Sequence, residues 1–198
     1  MKPKLVLIGG GGHCKSCIDV LEMHGGFEIV GILDQSDNIG KKVLGYEIIG
    51  TDDAIAELAR QGHSFLITVG QVRSGAVRKK LFALLEAEKA TAVTVVSPLA
   101  YVSMHARIGE GTVIMHHAVV NADAAVGMNC IINTKALVEH DATIESHCHI
   151  STSAVINGGA VVKEGTFFGS GAVCKEYVET GMDDFIKAGT VYKGCQHG

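Results

Sequence analysis

From Val96 onward, every sixth residue is aliphatic or aromatic for thirteen positions: Val96, Val102, Ile108, Ile114, Val120, Val126, Ile132, Val138, Ile144, Ile150, Ile156, Val162 and Phe168. Four residues beyond each stands a small one: Ala100, Ala106, Thr112, Ala118, Ala124, Cys130, Ala136, Ala142, Cys148, Ala154, Ala160, Thr166 and Ala172. A period held in phase over this length is an internal repeat, and it outranks any local propensity. Each hexapeptide points one large and one small side chain inward and then turns. Three hexapeptides close a triangular coil, and coils stack at the strand spacing of about 4.8 Å. The pattern fills a little over four coils of eighteen residues. It blurs after Ala172 and returns at Ile186 and Thr190, which predicts an eleven-residue excursion before one closing turn. The 25 glycines, spread without a collagen period, suit a chain of many tight turns.

The preceding residues follow another grammar. Apolar runs at Lys4–Ile8, Glu28–Leu33 and Ser64–Val69 predict three strands. Helical spacing through Ile18, Leu21 and Glu22 follows the first. Thr51-Asp52-Asp53 offers an N-cap for a helix reaching Arg60, and residues 74–89 predict another. Strand–helix alternation implies a small parallel sheet covered by helices. The expected division is an α/β domain at 1–92 and a repeat domain at 93–198.

Composition narrows the function. With 47% hydrophobic and 19% charged residues the chain is built to fold, and a net charge of -4 argues against a nucleic-acid partner. No run approaches the length of a membrane span, and residues 1–12 are too short and glycine-rich for a secretory signal. A cytoplasmic location is therefore expected, where the six cysteines stay reduced. Cys14 and Cys17 form a C-x-x-C, yet no second pair lies at zinc spacing, so both read as apolar filler in a helix. No two of the outward histidines His105, His116, His117 and His147 are eighteen apart, so none stack as a ligand pair, and no metal is expected.

The hexapeptide array resembles the left-handed β-helix acyltransferases. Together with Ile8-Gly9-Gly10-Gly11-Gly12-His13 at the first strand end and Glu139-His140-Asp141 in the array, the chain resembles the NeuD/PglD-type sugar acetyltransferases. The resemblance implies a small Rossmann-like α/β domain followed by a left-handed parallel β-helix. It also implies acetyl-CoA as co-substrate, a sugar or UDP-sugar as acceptor, and a homotrimer with acetyl-CoA lying between neighbouring prisms. The expected activity is N-acetylation of a UDP-linked 4-amino-deoxy-sugar. Sialic acid-type O-acetylation or a non-catalytic scaffold are the alternatives. A γ-type carbonic anhydrase would need three zinc-binding histidines at a spacing this sequence lacks, and the half-sheet is too small for NAD-dependent hydride transfer.

Acetyl transfer from a thioester needs a general base, and histidine suits that role near neutral pH. His140 lies two residues past inward Val138 and so points outward. Its stacked neighbours are the small Ala122 and Gly158, which leave space for a substrate. Asp141, or Glu139, is placed to hold the imidazole tautomer. The resemblance makes His140 the base and Asp141 its support, where several relatives carry Glu. It brings His149 near the thioester, as a donor to the carbonyl oxygen. Gly158, Gly169 and Ser170 are expected along the acetyl-CoA groove. Cys130 and Cys148 fall on inward positions, and Cys174 and Cys195 have no paired base in view. Direct transfer without an acyl-enzyme follows. His24, His63 and His197 carry no signal. The loop Gly9 to His13 joins a strand to a helix, a geometry suited to a phosphate or diphosphate. The resemblance assigns Gly10, Gly12, His13 and Asp34 to the nucleotide, with Asp34 accepting from the base or ribose. The family's closing G-V-P-A-K segment is replaced here by Ala188-Gly189-Thr190-Val191-Tyr192-Lys193-Gly194.

Overall fold

The computed structural model describes residues 2–72 and 74–194. Cys195 and His197 lie outside the described residues. The chain divides into two compact units, Met1–Gly70 with Val77–Val93, and Gln71–Ala76 with Thr94–Gly198.

In the first unit the elements run β1 (Lys4–Ile8), α1 (Gly12–His24), β2 (Glu28–Leu33), β3 (Lys42–Val43), β4 (Tyr46–Gly50), α2 (Ile55–Arg60), β5 (Ser64–Ile67) and α3 (Ala76–Ala87). The sheet order is β3-β4-β2-β1-β5, and every pair is parallel except the β3–β4 hairpin. Val6, Ile8, Leu33, Phe65 and Ile67 meet Ile55, Leu81, Phe82 and Leu85 of the helices in one apolar core. β3 and β4 were not expected from the sequence. They are short, and Gly31 of β2 leaves the room that Ile49 of β4 fills, since a Cβ there would meet Ile49 Cδ1 at 2.7 Å. Within this unit a buried Arg78 on α3 donates from one guanidinium nitrogen to the carbonyls of Ile67 and Val69, both at 2.8 Å.

The second unit is a left-handed parallel β-helix. Among its described residues are sixteen two-residue strands, from Val95–Val96 to Val191–Tyr192, in three parallel sheets of six, four and six. Residues eighteen apart stand abreast: Leu137 pairs with Val119 and with Val155, and His149 pairs with Phe167. The large and small inward residues form one continuous core, in which Ala136, Val138, Ala142, Ile150 and Ala154 are fully buried.

The C-terminal excursion is corrected by the structure. Phe168 pairs with Ile186 and Cys174 with Tyr192, and Val161 bridges to Glu179, so the eighteen-residue step continues without interruption. What lapses is the composition. Thr180 now holds an inward place, and Val178 and Asp184 stand where the small residues stood, but the backbone ladder does not depend on side-chain type.

Candidate active site

The prism corner after Leu137–Val138 carries Glu139, His140, Asp141 and Ala142. Asp141 adopts φ +60°, a left-handed turn conformation that aspartate tolerates better than most residues. The turn brings its Oδ2 to 2.7 Å from His140 Nδ1. That hydrogen bond, helped by the charges of Asp141 and Glu139, raises the His140 pKa above its ordinary value. Asp141 therefore fixes Nδ1 as the protonated nitrogen and turns Nε2 outward as the free acceptor that a general base requires. Glu139 is itself held: Asn121 Nδ2 donates to its Oε2 at 2.9 Å, and the His140 backbone N–H reaches the same oxygen at 3.2 Å.

Gly158 stands one coil beyond His140, and the imidazole lies over it. A Cβ built on Gly158 would sit 2.8 Å from His140 Cε1 and 3.0 Å from Nε2. The ring uses the room that Gly158 leaves, and 57% of the His140 side chain stays exposed.

His149 lies on a different wall of the prism and is buried. Its Nδ1 is 2.5 Å from the carbonyl oxygen of Gln71, which can only accept, so Nδ1 carries a proton. Its Nε2 is 2.9 Å from Asn133 Nδ2. Asn133 Oδ1 accepts the backbone N–H of Thr134 at 2.8 Å, which fixes the amide orientation, so Nε2 accepts. His149 is thus a neutral imidazole engaged at both nitrogens, and its ring meets Phe167 edge-on.

Gly169 and Ser170 occupy yet another corner, with Ser151 Oγ 2.9 Å from Ser170 Oγ. A Cβ on Gly169 would lie 2.5 Å from the Ala188 backbone nitrogen, so close stacking of coils already requires glycine there. Within one chain the structure gathers His140, Asp141 and Gly158, and leaves His149, Gly169 and Ser170 elsewhere on the prism.

In the first unit the Gly9–Gly12 loop closes against the end of β2. Gly10 N–H donates to Asp34 Oδ2 at 2.5 Å, and Asp34 Oδ1 accepts from Gln35 N–H at 2.6 Å and Asn38 Nδ2 at 3.1 Å. Partial burial pulls the Asp34 pKa upward, but these donors outweigh it and the carboxyl titrates below its ordinary value. Gly10 is required because a Cβ would meet Asp34 Oδ2 at 2.8 Å. Thr68 Oγ1 bonds the carbonyls of Ile8 and Gly9 from the other side. Gly12 opens the 13-residue helix α1, which has no side-chain cap, and a Cβ on Gly11 or Gly12 would meet nothing within 4 Å. His13 follows in the first turn, its Nε2 3.5 Å from Cys17 Sγ. Cys14, Cys17, Cys130, Cys148 and Cys174 are all buried, and burial pushes the Cys17 thiol up to about 12, away from nucleophilic use.

This combination of a small α/β unit and a hexapeptide prism with an outward histidine defines an acyltransferase of the left-handed β-helix class. Residues 4–85 match the family described as PglD N-terminal domain. A curated relative, UDP-N-acetylbacillosamine N-acetyltransferase of Bacillus subtilis, is 36% identical over 114 residues, covering 56% of this chain. The match spans half of that relative's length. The acetyltransferase domain of PglB from Neisseria gonorrhoeae, solved with acetyl coenzyme A, superposes with a TM-score of 0.91 at 28% identity, over 98% of this chain and 92% of that one. PerB from Caulobacter crescentus, solved with CoA and GDP-perosamine, gives 0.88 at 34% identity, over 96% and 89%. The chain belongs to the NeuD/PglD-type sugar acetyltransferase family.

Proposed function

We propose that this protein transfers an acetyl group from acetyl-CoA to the 4-amino group of a UDP-linked deoxy-sugar, directly and without an acyl-enzyme. The observation that carries the reading is His140, whose Nδ1 is tied to Asp141 at 2.7 Å while Nε2 faces outward. Nε2 takes the proton from the attacking amine, the amine nitrogen bonds the acetyl carbon, and the sulfur of CoA leaves. The relatives named above include one acting on a UDP-linked and one binding a GDP-linked amino sugar. The unit at 1–92 holds the nucleotide: the uncapped start of α1 at Gly12 and His13 takes the diphosphate, with Gly10 and Asp34 closing the loop.

The prism at 93–198 works as a homotrimer. Beside the corner of His140 runs an outward apolar column of Tyr101, Val119, Leu137, Val155, Val173 and Val191, with Tyr101 58% and Val191 55% exposed. An aligned apolar stripe of this kind marks a protein interface. Its far edge is the corner of Asn133, Ser151, Gly169 and Ser170. A neighbouring prism on this face brings the second cluster of one chain toward the His140 corner of another, forming the acetyl-CoA groove with Gly158 and the buried His149 in its walls.

Release of free thiol from acetyl-CoA, followed over UDP- and GDP-linked 4-amino-sugars and free sialic acids, tests the reading, with the product's mass and hydroxylamine resistance identifying an amide. Turnover confined to sialic acids, giving a hydroxylamine-labile ester, would assign the O-acetyltransferase branch instead. No turnover of any acceptor would leave the scaffold reading.

A further inference from the structure

Tyr177 breaks the rule that the prism's turns otherwise follow. The corresponding left-handed turn positions along this corner are Asp123, Asp141, Gly159 and Tyr177, each eighteen residues from the next, and Tyr177 has φ +54°. Elsewhere in the array such positions hold His117, Asn129, Lys135, His147, Ser153 or Asp183, or glycine. Polar or unbranched residues and glycine are the ordinary occupants, and a bulky aromatic ring in this conformation is an outlier. Outliers of this kind collect where a site requires them. Within the chain little of the ring is buried, since Tyr177 is 79% exposed.

Its position is specific. The Tyr177 ring folds back over Gly159, where a Cβ would lie 2.5 Å from both Cδ1 and Cε1. On adjoining Gly158 rests the His140 imidazole, with the Cβ position 2.8 Å from Cε1. The backbone ties the three levels together: Gly159 N–H donates to His140 O at 3.1 Å, and Tyr177 N–H donates to Gly158 O at 3.1 Å. Two side-chain-free residues thus form a floor with an imidazole over one end and a phenol over the other.

We infer that Tyr177 is a substrate-binding residue whose exposed ring face stacks on the pyranose of the acceptor and presents its amine to His140. The C–H face of a sugar ring is apolar enough to pack on an aromatic plane, and holding the acceptor there converts encounter into orientation. This rests on the acetyl-transfer reading above.

The test uses the full chain, with Tyr177→Gly and Tyr177→Phe. Glycine favours φ +54°, so the first variant removes the ring while relieving the backbone. The expected result is that Tyr177→Gly raises KM for the amino sugar roughly tenfold, the size of one aromatic contact, leaves KM for acetyl-CoA unchanged, and melts no lower than wild type. Tyr177→Phe stays close to wild type. An unchanged acceptor KM in Tyr177→Gly, or a rise in KM for acetyl-CoA alone, overturns the stacking role while the transferase reading stands. A wild type that turns over no amino sugar overturns both.

Discussion

The imidazole of His140 rests on Gly158, within 3.0 Å of where a side chain at that position would begin. The eighteen-residue step makes them neighbours across coils, and the absence of a Cβ leaves room for the ring that Asp141 holds. Substituting alanine at Gly158 displaces an exposed, movable ring and disturbs no buried core. Gly158→Ala is therefore expected to fold normally, within about 0.5 kcal/mol of wild type by denaturant melts. Activity should fall roughly tenfold or more, because the base leaves its attack position.

The Asp141 contact sets a pH dependence. Asp141 stabilises the imidazolium, so the His140 pKa is raised. A base must be unprotonated, and kcat/KM should rise with pH through that elevated value. In Asp141→Asn the carboxylate is gone. The rise should move to lower pH, and the plateau should drop because the amide no longer selects the Nδ1–H tautomer as firmly. A pH–rate profile of the two proteins checks both the direction and the loss.

Asp34 carries the opposite sign. Its pKa is lowered in the folded protein by donors from Gln35, Gly10 and Asn38. Its contribution to stability is complete above the ordinary carboxylate range and is lost as pH falls through the depressed folded value. Urea melts should show Asp34→Asn less stable than wild type at neutral pH, with the gap closing at acid pH. The variant should also bind nucleotide sugar more weakly, since the Gly9–Gly12 loop loses its anchor.

His149 should report its wiring spectroscopically. With Gln71 O accepting from Nδ1 and Asn133 donating to Nε2, nitrogen NMR is expected to show a neutral ring protonated at Nδ1. Asn133→Asp places a carboxylate acceptor at Nε2 and should convert the ring to imidazolium at neutral pH.

The core predicts its own intolerance. Ala154 is fully buried at an inward small position, between coils that cannot separate without breaking the ladder. Ala154→Leu should cost on the order of 1–3 kcal/mol from overpacking, measured by chemical denaturation.

The prism was legible in the sequence because stacked coils put the same demand on the same phase again and again, from Val96 to Phe168. The phase also assigned Ala122 and Gly158 as the neighbours of His140. It failed beyond Ala172 because a closing coil is bounded on one side by fewer neighbours, so Thr180 and Tyr192 can replace aliphatic residues while the backbone keeps step. Gln71 gave no signal, since its bond to His149 joins residues 78 apart and is made by a backbone carbonyl, which any residue supplies. Tyr177 was equally silent: a lone tyrosine in a blurred stretch acquires meaning only when the fold sets it over Gly159. Asp34 was singled out by its place at the end of the second strand, but its bracing of the loop through Gly10 became visible only in the structure.

The role of His140 as base is tested by comparing wild type with His140→Ala, measuring CoA thiol release with a UDP-linked 4-amino-sugar alongside CoA affinity. In His140→Ala, kcat should fall by roughly 10²–10⁴-fold, as for loss of a general base, with CoA bound as tightly as before. A variant that turns over the amino sugar at the wild-type rate would contradict it.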